Sequence, residues 1–147
     1  MASKIPQKTL ANMLSAWIAA STVKARLVMS DTTCGAEIDG IDNLSDYTVI
    51  DVCDATGYAD VLVTTEAATA DDVNNRAEYG ADTAVFSGLA GDATRQIVGC
   101  LLYDYVDGTD AHDKSPFYIE FISPIPATAT QVSAQWHAEG IVQFAQV

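Results

Sequence analysis

The chain has 147 residues, of which 49% are hydrophobic and 18% charged, and it carries a formal net charge of −13. This length and composition are typical of one globular domain with a sizeable core. The negative charge argues against groove-wide binding to nucleic acid, because phosphate groups would be repelled. No apolar run reaches the roughly 18 residues of a membrane-spanning helix, so the sequence predicts none.

The charges are unevenly distributed along the chain. Residues 1–30 contain Lys4, Lys8, Lys24 and Arg26 and no acidic residue, whereas residues 31–147 hold all 20 acidic residues and three basic ones. A basic leading segment on an acidic body could dock on a neighbouring copy or on another acidic surface. The alternative is a chance clustering of four charges that only aids solubility.

Residues 1–20 are predicted to form an arm and a short helix, with Pro6 suited to a first helical turn. An apolar stripe follows at three- and four-residue spacing, made of Leu10, Met13, Leu14, Trp17 and Ile18. This stripe would close one end of the core, or it would swap onto a neighbouring subunit as an assembly arm.

β-strand patterns dominate the rest of the chain. In residues 23–29, apolar side chains alternate with Lys24, Arg26 and Val28, as a half-buried strand requires. The nearly continuous apolar run in residues 96–106 predicts a central strand buried on both faces. A short helical turn is expected around Leu44, and residues 67–75 are expected to form a polar connection. Further strands are predicted over residues 47–53, 59–65, 76–79, 83–87, 117–122, 131–136 and 141–144.

About eight or nine short strands separated by turns indicate a sandwich or a barrel. The sequence therefore predicts a mostly-β fold, an antiparallel β-sandwich of jelly-roll-like or immunoglobulin-like type, with a short N-terminal helix. We expect one domain over residues 1–147, with residues 1–20 as arm and helix and residues 21–147 as the sandwich body. No internal repeat is found.

The three cysteines are Cys34, Cys53 and Cys100. Their number is odd, and no pair has the spacing of a zinc site. We expect buried free thiols. One disulfide with a leftover thiol is the alternative.

No constellation of catalytic residues stands out. The chain lacks a GxSxG elbow and a Gly-rich phosphate loop, and its two histidines offer few bases. His112 lies in an acidic loop with Asp104, Asp107, Asp110 and Asp113, which could bind a hard cation but is more typical of a solvated surface loop. We therefore expect no enzyme, no catalytic residue, no cofactor and no metal ligand.

Arg76 and Arg95 are the only arginines in the acidic body. Arg76 would bind carboxylate or carbonyl oxygens within the fold, or it would contribute to a subunit interface. The predicted partner-docking residues are Lys4, Lys8, Trp17, Lys24, Arg26 and Arg76.

Four ordered blocks carry a resemblance to a known class of protein. They are Asn-Asn-Arg-Ala-Glu-Tyr at 74–79, Asp-Thr-Ala-Val-Phe-Ser at 82–87, Thr-Arg-Gln-Ile-Val-Gly-Cys-Leu-Leu-Tyr at 94–103, and Gln-Trp-His-Ala-Glu-Gly-Ile-Val-Gln-Phe at 135–144. Over roughly residues 17–145 the chain resembles small virion structural proteins of tailed bacteriophages. The resemblance implies a role at the capsid or neck and brings no catalytic residue. The segment from Lys4 to Lys8 lies outside it.

We therefore expect a virion protein that decorates or cements the capsid by bridging major capsid protein subunits. It would act as a homo-oligomer on the capsid surface after assembly in the bacterial cytoplasm, contacting the major capsid protein and copies of itself, but neither nucleic acid nor membrane. A neck or tail component, such as a head-completion or tail-tip protein, is the second hypothesis. The third is a carbohydrate-binding β-sandwich at the host surface, with Tyr103, Tyr105 and Tyr118 stacking on sugars.

Overall fold

The structure is a computed structural model that describes residues 5–37, 39–74, 76–137 and 141–145. Within these ranges it contains one α-helix, one short 3₁₀ helix and nine strands, and every pair of neighbouring strands is antiparallel. The helices are α1 (Gln7–Ala20) and the 3₁₀ helix (Leu44–Asp46). The strands are β1 (Val23–Met29), β2 (Val61–Leu62), β3 (Ala67–Asp71), β4 (Arg76–Gly80), β5 (Ala84–Ser87), β6 (Ile97–Asp104), β7 (Lys114–Ile125), β8 (Gln131–Ala134) and β9 (Val142–Ala145). The prediction of a mostly-β, antiparallel fold with a short N-terminal helix is confirmed.

The chain divides into two compact units. The helix unit contains α1, β3, β4 and β9, and the sheet unit contains the other six strands and the 3₁₀ helix. The predictions of a single domain over residues 1–147 and of a sandwich of jelly-roll or immunoglobulin type stay predictions.

In the helix unit, β4 is the middle strand of a three-stranded sheet, between β3 and β9. Helix α1 packs against β3 and β4, where Trp17 meets the buried ring of Tyr79 edge-on at a centroid distance of 5.6 Å. Pro6 precedes the helix as its N-cap residue, so the prediction that Pro6 lies inside the first turn was one residue off. Ala11 is buried, whereas Met13, a member of the predicted apolar stripe, is 61% exposed.

In the sheet unit, the four-stranded sheet has the order β2-β1-β6-β7, and β5 pairs with β8. The central strand β6 carries Cys100, Leu101 and Leu102, all fully buried. Successive side chains of a strand point to opposite faces, so this run is buried on both faces, as predicted. One face is covered by Cys34 and Leu44, which pack with residues of β1 and β6.

Two predicted segments differ from the structure. Residues 47–53 were predicted as a strand, but only Val52 forms an isolated bridge, to Val28 at the end of β1. Residues 67–75 were predicted as a polar connection, but Ala67–Asp71 forms β3 because it pairs with β4 and lies under α1. The second error arises because pairing with β4 and packing against α1 override the weak local preference of this alanine-rich segment.

The three cysteines all lie among the described residues and are buried and unbridged, as predicted. Burial raises the pKa of the Cys100 thiol to about 12, which keeps it in the unreactive protonated form.

Candidate functional site

Two of the predicted docking residues, Lys24 and Arg26, lie on the same face of β1 in the sheet unit. The Lys24 ammonium is 3.3 Å from the ring centroid of Tyr105. The Arg26 guanidinium is 4.9 Å from the ring centroid of Tyr103. Both are cation–π contacts, so these two cations are held in part by aromatic rings of their own chain.

Asp60 holds Arg26 in a half-buried polar network. Arg26 Nε donates to Asp60 at 3.0 Å, and the Tyr58 and Tyr103 hydroxyls each donate to the same carboxylate at 2.7 Å. Burial raises the pKa of both tyrosines, and the second largest cause is the charge of Asp60 for Tyr58 and the hydrogen bond to Asp60 for Tyr103. Arg26 also reaches the exposed Asp110 at 3.2 Å. The network provides Arg26 with hydrogen-bond partners from its own chain. The role of Arg26 in docking stays a prediction.

The remaining docking candidates belong to the helix unit or fall outside the described residues. Lys8 is exposed on α1, and Trp17 packs on Tyr79. Arg76 forms ion pairs with Asp71 at 3.2 Å and Glu78 at 2.8 Å. Lys4 lies outside the described residues. The structure therefore brings Lys24 and Arg26 together on β1 and places Trp17 and Arg76 in the same unit.

The acidic loop between β6 and β7 is organised by its own carboxylates. Asp113 is fully buried, and its Oδ1 atom accepts hydrogen bonds from the N–H groups of residues 106, 107 and 108. Asp107 binds His112 at 2.8 Å, and Asp110 binds Arg26. Among the described residues, no three His, Cys, Asp or Glu side chains form a group that could hold a metal ion.

The three tyrosine rings proposed to stack on sugars are largely packed against other residues of the chain. Tyr103 is only 1% exposed, and the ring of Tyr105 lies beneath Lys24. Tyr118 is half-buried against Gly35 and Gly99, where a Cβ atom would lie 3.1 Å and 2.7 Å from atoms of the tyrosine side chain. These contacts favour a packing role for the three rings.

A surface that the sequence analysis missed lies on β7, the edge strand of the four-stranded sheet. Glu120 pairs with Gly99 and Ile125 pairs with Ile97, so residues 121–124 form a bulge opposite a single residue of β6. The bulge projects Ile122 fully into solvent, with a relative exposure of 106%. Bulges at sheet edges commonly redirect a side chain in this way. In the sequence, the signal for this exposed surface was an apolar run that ends at Pro124.

A second missed feature joins two copies of the tripeptide Asp-Ala-Thr, at residues 54–56 and 92–94. Thr94 donates its N–H and hydroxyl to the two oxygens of Asp54, at 2.9 and 2.6 Å. Thr56 donates the same two groups to Asp92, both at 2.8 Å. We call this reciprocal arrangement the Asp–Thr clasp. With few basic residues in the chain, hydroxyl and N–H groups stabilise these carboxylates. The repeated tripeptide is the signal that could have revealed it.

The clasp predicts a specific loss of stability in acid. Hydrogen bonds from the threonine side chains, followed by the backbone N–H groups, lower the pKa of Asp54 and Asp92. Their stabilisation is therefore present above the unfolded value of about 3.9 and is lost as pH falls through the lower folded value. Asp54→Asn combined with Asp92→Asn should reduce stability at neutral pH and flatten the acid decline, as measured by urea unfolding at several pH values.

The control for this experiment is Asp42→Asn, at an exposed carboxylate that takes no part in the clasp. It should leave the shape of the pH dependence close to that of the unmodified protein. If the double variant and the control give the same pH dependence, the clasp does not contribute to acid sensitivity.

Comparison with models of protein families, with curated proteins and with solved structures gives no match. None of the helices in the described ranges has the length and apolarity needed to span a bilayer. The case for a function therefore depends on the residues of the chain itself and on the phage-protein resemblance.

Proposed function

We propose that the chain is a structural protein of a tailed-phage virion that decorates or cements the capsid. It would bridge major capsid protein subunits on the capsid surface and associate with copies of itself. The four sequence blocks that resemble such proteins support this proposal. All four overlap strands that form the sheets, namely β4, β5, β6 and β9.

The observation that carries the proposal is the bulged edge of β7. Among the described residues, β7 has no strand partner other than β6, and on its outer side only Lys114, at its start, forms an isolated bridge with Asn43. Phe117, Ile119 and Phe121 are only half-buried, next to the fully exposed Ile122. The bulge and Pro124 blunt this edge against strand pairing, but they leave the side chain of Ile122 in solvent. A partner in an assembly would cover this side chain.

Modest burial at each copy suffices for a capsid cement. Covering one isoleucine side chain contributes about 1.5–3 kcal/mol. Contacts of this size would be weak for a single molecule in solution. When a homo-oligomer engages several capsid subunits at once, the second and later contacts form at high effective concentration.

The first test is the copy number of the protein in purified virions, measured by quantitative mass spectrometry against the major capsid protein. A copy number comparable to that of the major capsid protein is expected. A few copies per particle would instead assign the protein to the neck or tail. Absence from the particles would overturn the proposal of a virion protein.

Ile122→Asp should weaken binding to capsid particles by more than about tenfold, because a loss of 1.4 kcal/mol already has that effect. The fold should be unaffected, since the side chain is fully exposed. Cosedimentation of the purified protein with particles that lack it provides the measurement. The matched control is Val73→Asp, at a valine that is 92% exposed in the helix unit. Equal binding by the two variants would exclude Ile122 from the interface.

A further inference from the structure

The chain contains two Asp-Gly dipeptides, Asp39-Gly40 and Asp107-Gly108. In both, the glycine lies in the left-handed region, with φ angles of +77° and +84°. The dipeptides share their covalent chemistry and this backbone conformation, but their surroundings differ. The effect of the surrounding structure on one reaction can therefore be compared between two sites of the same protein.

We propose that Asp39-Gly40 is a site of spontaneous isoaspartate formation and that Asp107-Gly108 is protected from the same reaction by its hydrogen bonds. The Gly40 nitrogen attacks Cγ of Asp39, loses its proton, and expels the carboxyl hydroxyl as water to form a five-membered succinimide. Water then adds to the former main-chain carbonyl and breaks its bond to the glycine nitrogen. The chain now continues through Cγ, and no oxidant or cofactor is consumed.

Asp39-Gly40 is open to this reaction. Asp39 is exposed, and a Cβ atom built on Gly40 would meet, among the described residues beyond its two chain neighbours, no atom within 4 Å. Within the described residues, no hydrogen bond engages the Asp39 carboxylate or the Gly40 N–H group. The carboxyl group can therefore rotate towards the glycine nitrogen, and the backbone around Gly40 has room to adjust.

At Asp107-Gly108 the reacting groups are held apart. The Gly108 N–H donates to the buried Asp113 carboxylate at 3.3 Å. This hydrogen bond holds the glycine nitrogen, which is the nucleophile of the reaction, away from Asp107. The two oxygens of Asp107 accept from the Thr109 N–H at 2.9 Å and bind His112 at 2.8 Å. The bond with His112, followed by that from Thr109, lowers the pKa of Asp107. Less of its carboxyl group is therefore in the acid form that releases water.

The conversion would have a local structural effect. It adds one methylene group to the main chain just before the 3₁₀ helix, whose Leu44 is 1% exposed and packs on the four-stranded sheet.

The experiment incubates the folded, full-length protein in mildly acidic heavy-oxygen water for several weeks. Peptide mapping with electron-transfer fragmentation then locates the isoaspartate and the incorporated label. The expected result is conversion at Asp39 that clearly exceeds conversion at Asp107 in the same sample. Equal conversion at the two sites, or faster conversion at Asp107, would overturn the inference.

Two controls separate structure from sequence. In denaturant the two dipeptides should convert at similar rates, and a persistent difference there would show that the fold is not its cause. Asp39→Glu should abolish conversion at position 39, because the corresponding ring has six members. His112→Ala, at an exposed histidine, should raise conversion at Asp107, and an unchanged rate would contradict the protective role of that contact.

Discussion

Replacing Asp60 by alanine is expected to lower the free energy of unfolding by about 3–5 kcal/mol, because it leaves a half-buried cation without its main partner. Asp60 accepts hydrogen bonds from Arg26, Tyr58 and Tyr103 together. The side chains of Arg26 and Asp60 are only 13% and 17% exposed, so water cannot fully replace the lost carboxylate. Urea unfolding followed by circular dichroism measures the change.

Asp110→Ala is the matched control, because it removes the other carboxylate that binds Arg26. Asp110 is 51% exposed, and exposed ion pairs of this kind contribute about 0.2–1 kcal/mol. Asp60→Ala should therefore be several times more destabilising than Asp110→Ala. Equal effects would mean that the Asp60 network is as well hydrated as the surface pair.

The second large effect is expected for Gly57→Ala. Gly57 has a φ angle of +87°, and a Cβ atom at this position would lie 2.3 Å from the backbone carbonyl oxygen of Gly88. The left-handed conformation costs about 1–2 kcal/mol for a residue with a Cβ, and overpacking typically adds about 1–3 kcal/mol. Because the clash is with the backbone, no side-chain rotation can relieve it.

Gly88→Ala separates the cost of the left-handed conformation from the cost of the clash. Gly88 has a φ angle of +77°, but a Cβ atom there would meet no atom within 4 Å in the part of the chain that the structure describes, apart from its chain neighbours. We expect this control to lose only the conformational term of about 1–2 kcal/mol. The difference between the variants in urea unfolding measures the close backbone approach. Similar losses for both would show that the loop containing Gly57 can move away from Gly88.

Local sequence patterns were sufficient to predict the strands in which the order of apolar and polar residues largely decides which side chains are buried. Val23–Met29 was predicted with its observed limits, because the alternation of residues 23–27 matches their burial, although Val28, which was grouped with Lys24 and Arg26, is fully buried. The central strand β6 was recognised from its apolar run for the same reason. Strand β3 was missed because Ala67–Asp71 contains no large apolar residue, and its conformation depends on pairing with β4.

The pairings within the polar sites could not be predicted from local patterns, because most of the partners are distant in sequence. The repeated Asp-Ala-Thr tripeptide marked the residues of the clasp but not their contacts. Asp60 lies 34 residues from Arg26 and 43 from Tyr103, and nothing near it in the chain indicates either contact. The two halves of the Asp–Thr clasp are linked across 36 and 40 residues. The exposed Ile122 depends on a bulge in the register of β7, which local alternation does not reveal.

The order of strands in the helix unit has a consequence for synthesis of the chain on the ribosome. The middle strand β4 (Arg76–Gly80) pairs with β3, which is made just before it, and with β9 (Val142–Ala145), which begins 62 residues after β4 ends. During translation, one hydrogen-bonding edge of β4 therefore stays open until β9 emerges, a period in which such edges favour aggregation. A nonsense mutation or proteolytic cut before residue 142 would leave that edge permanently exposed.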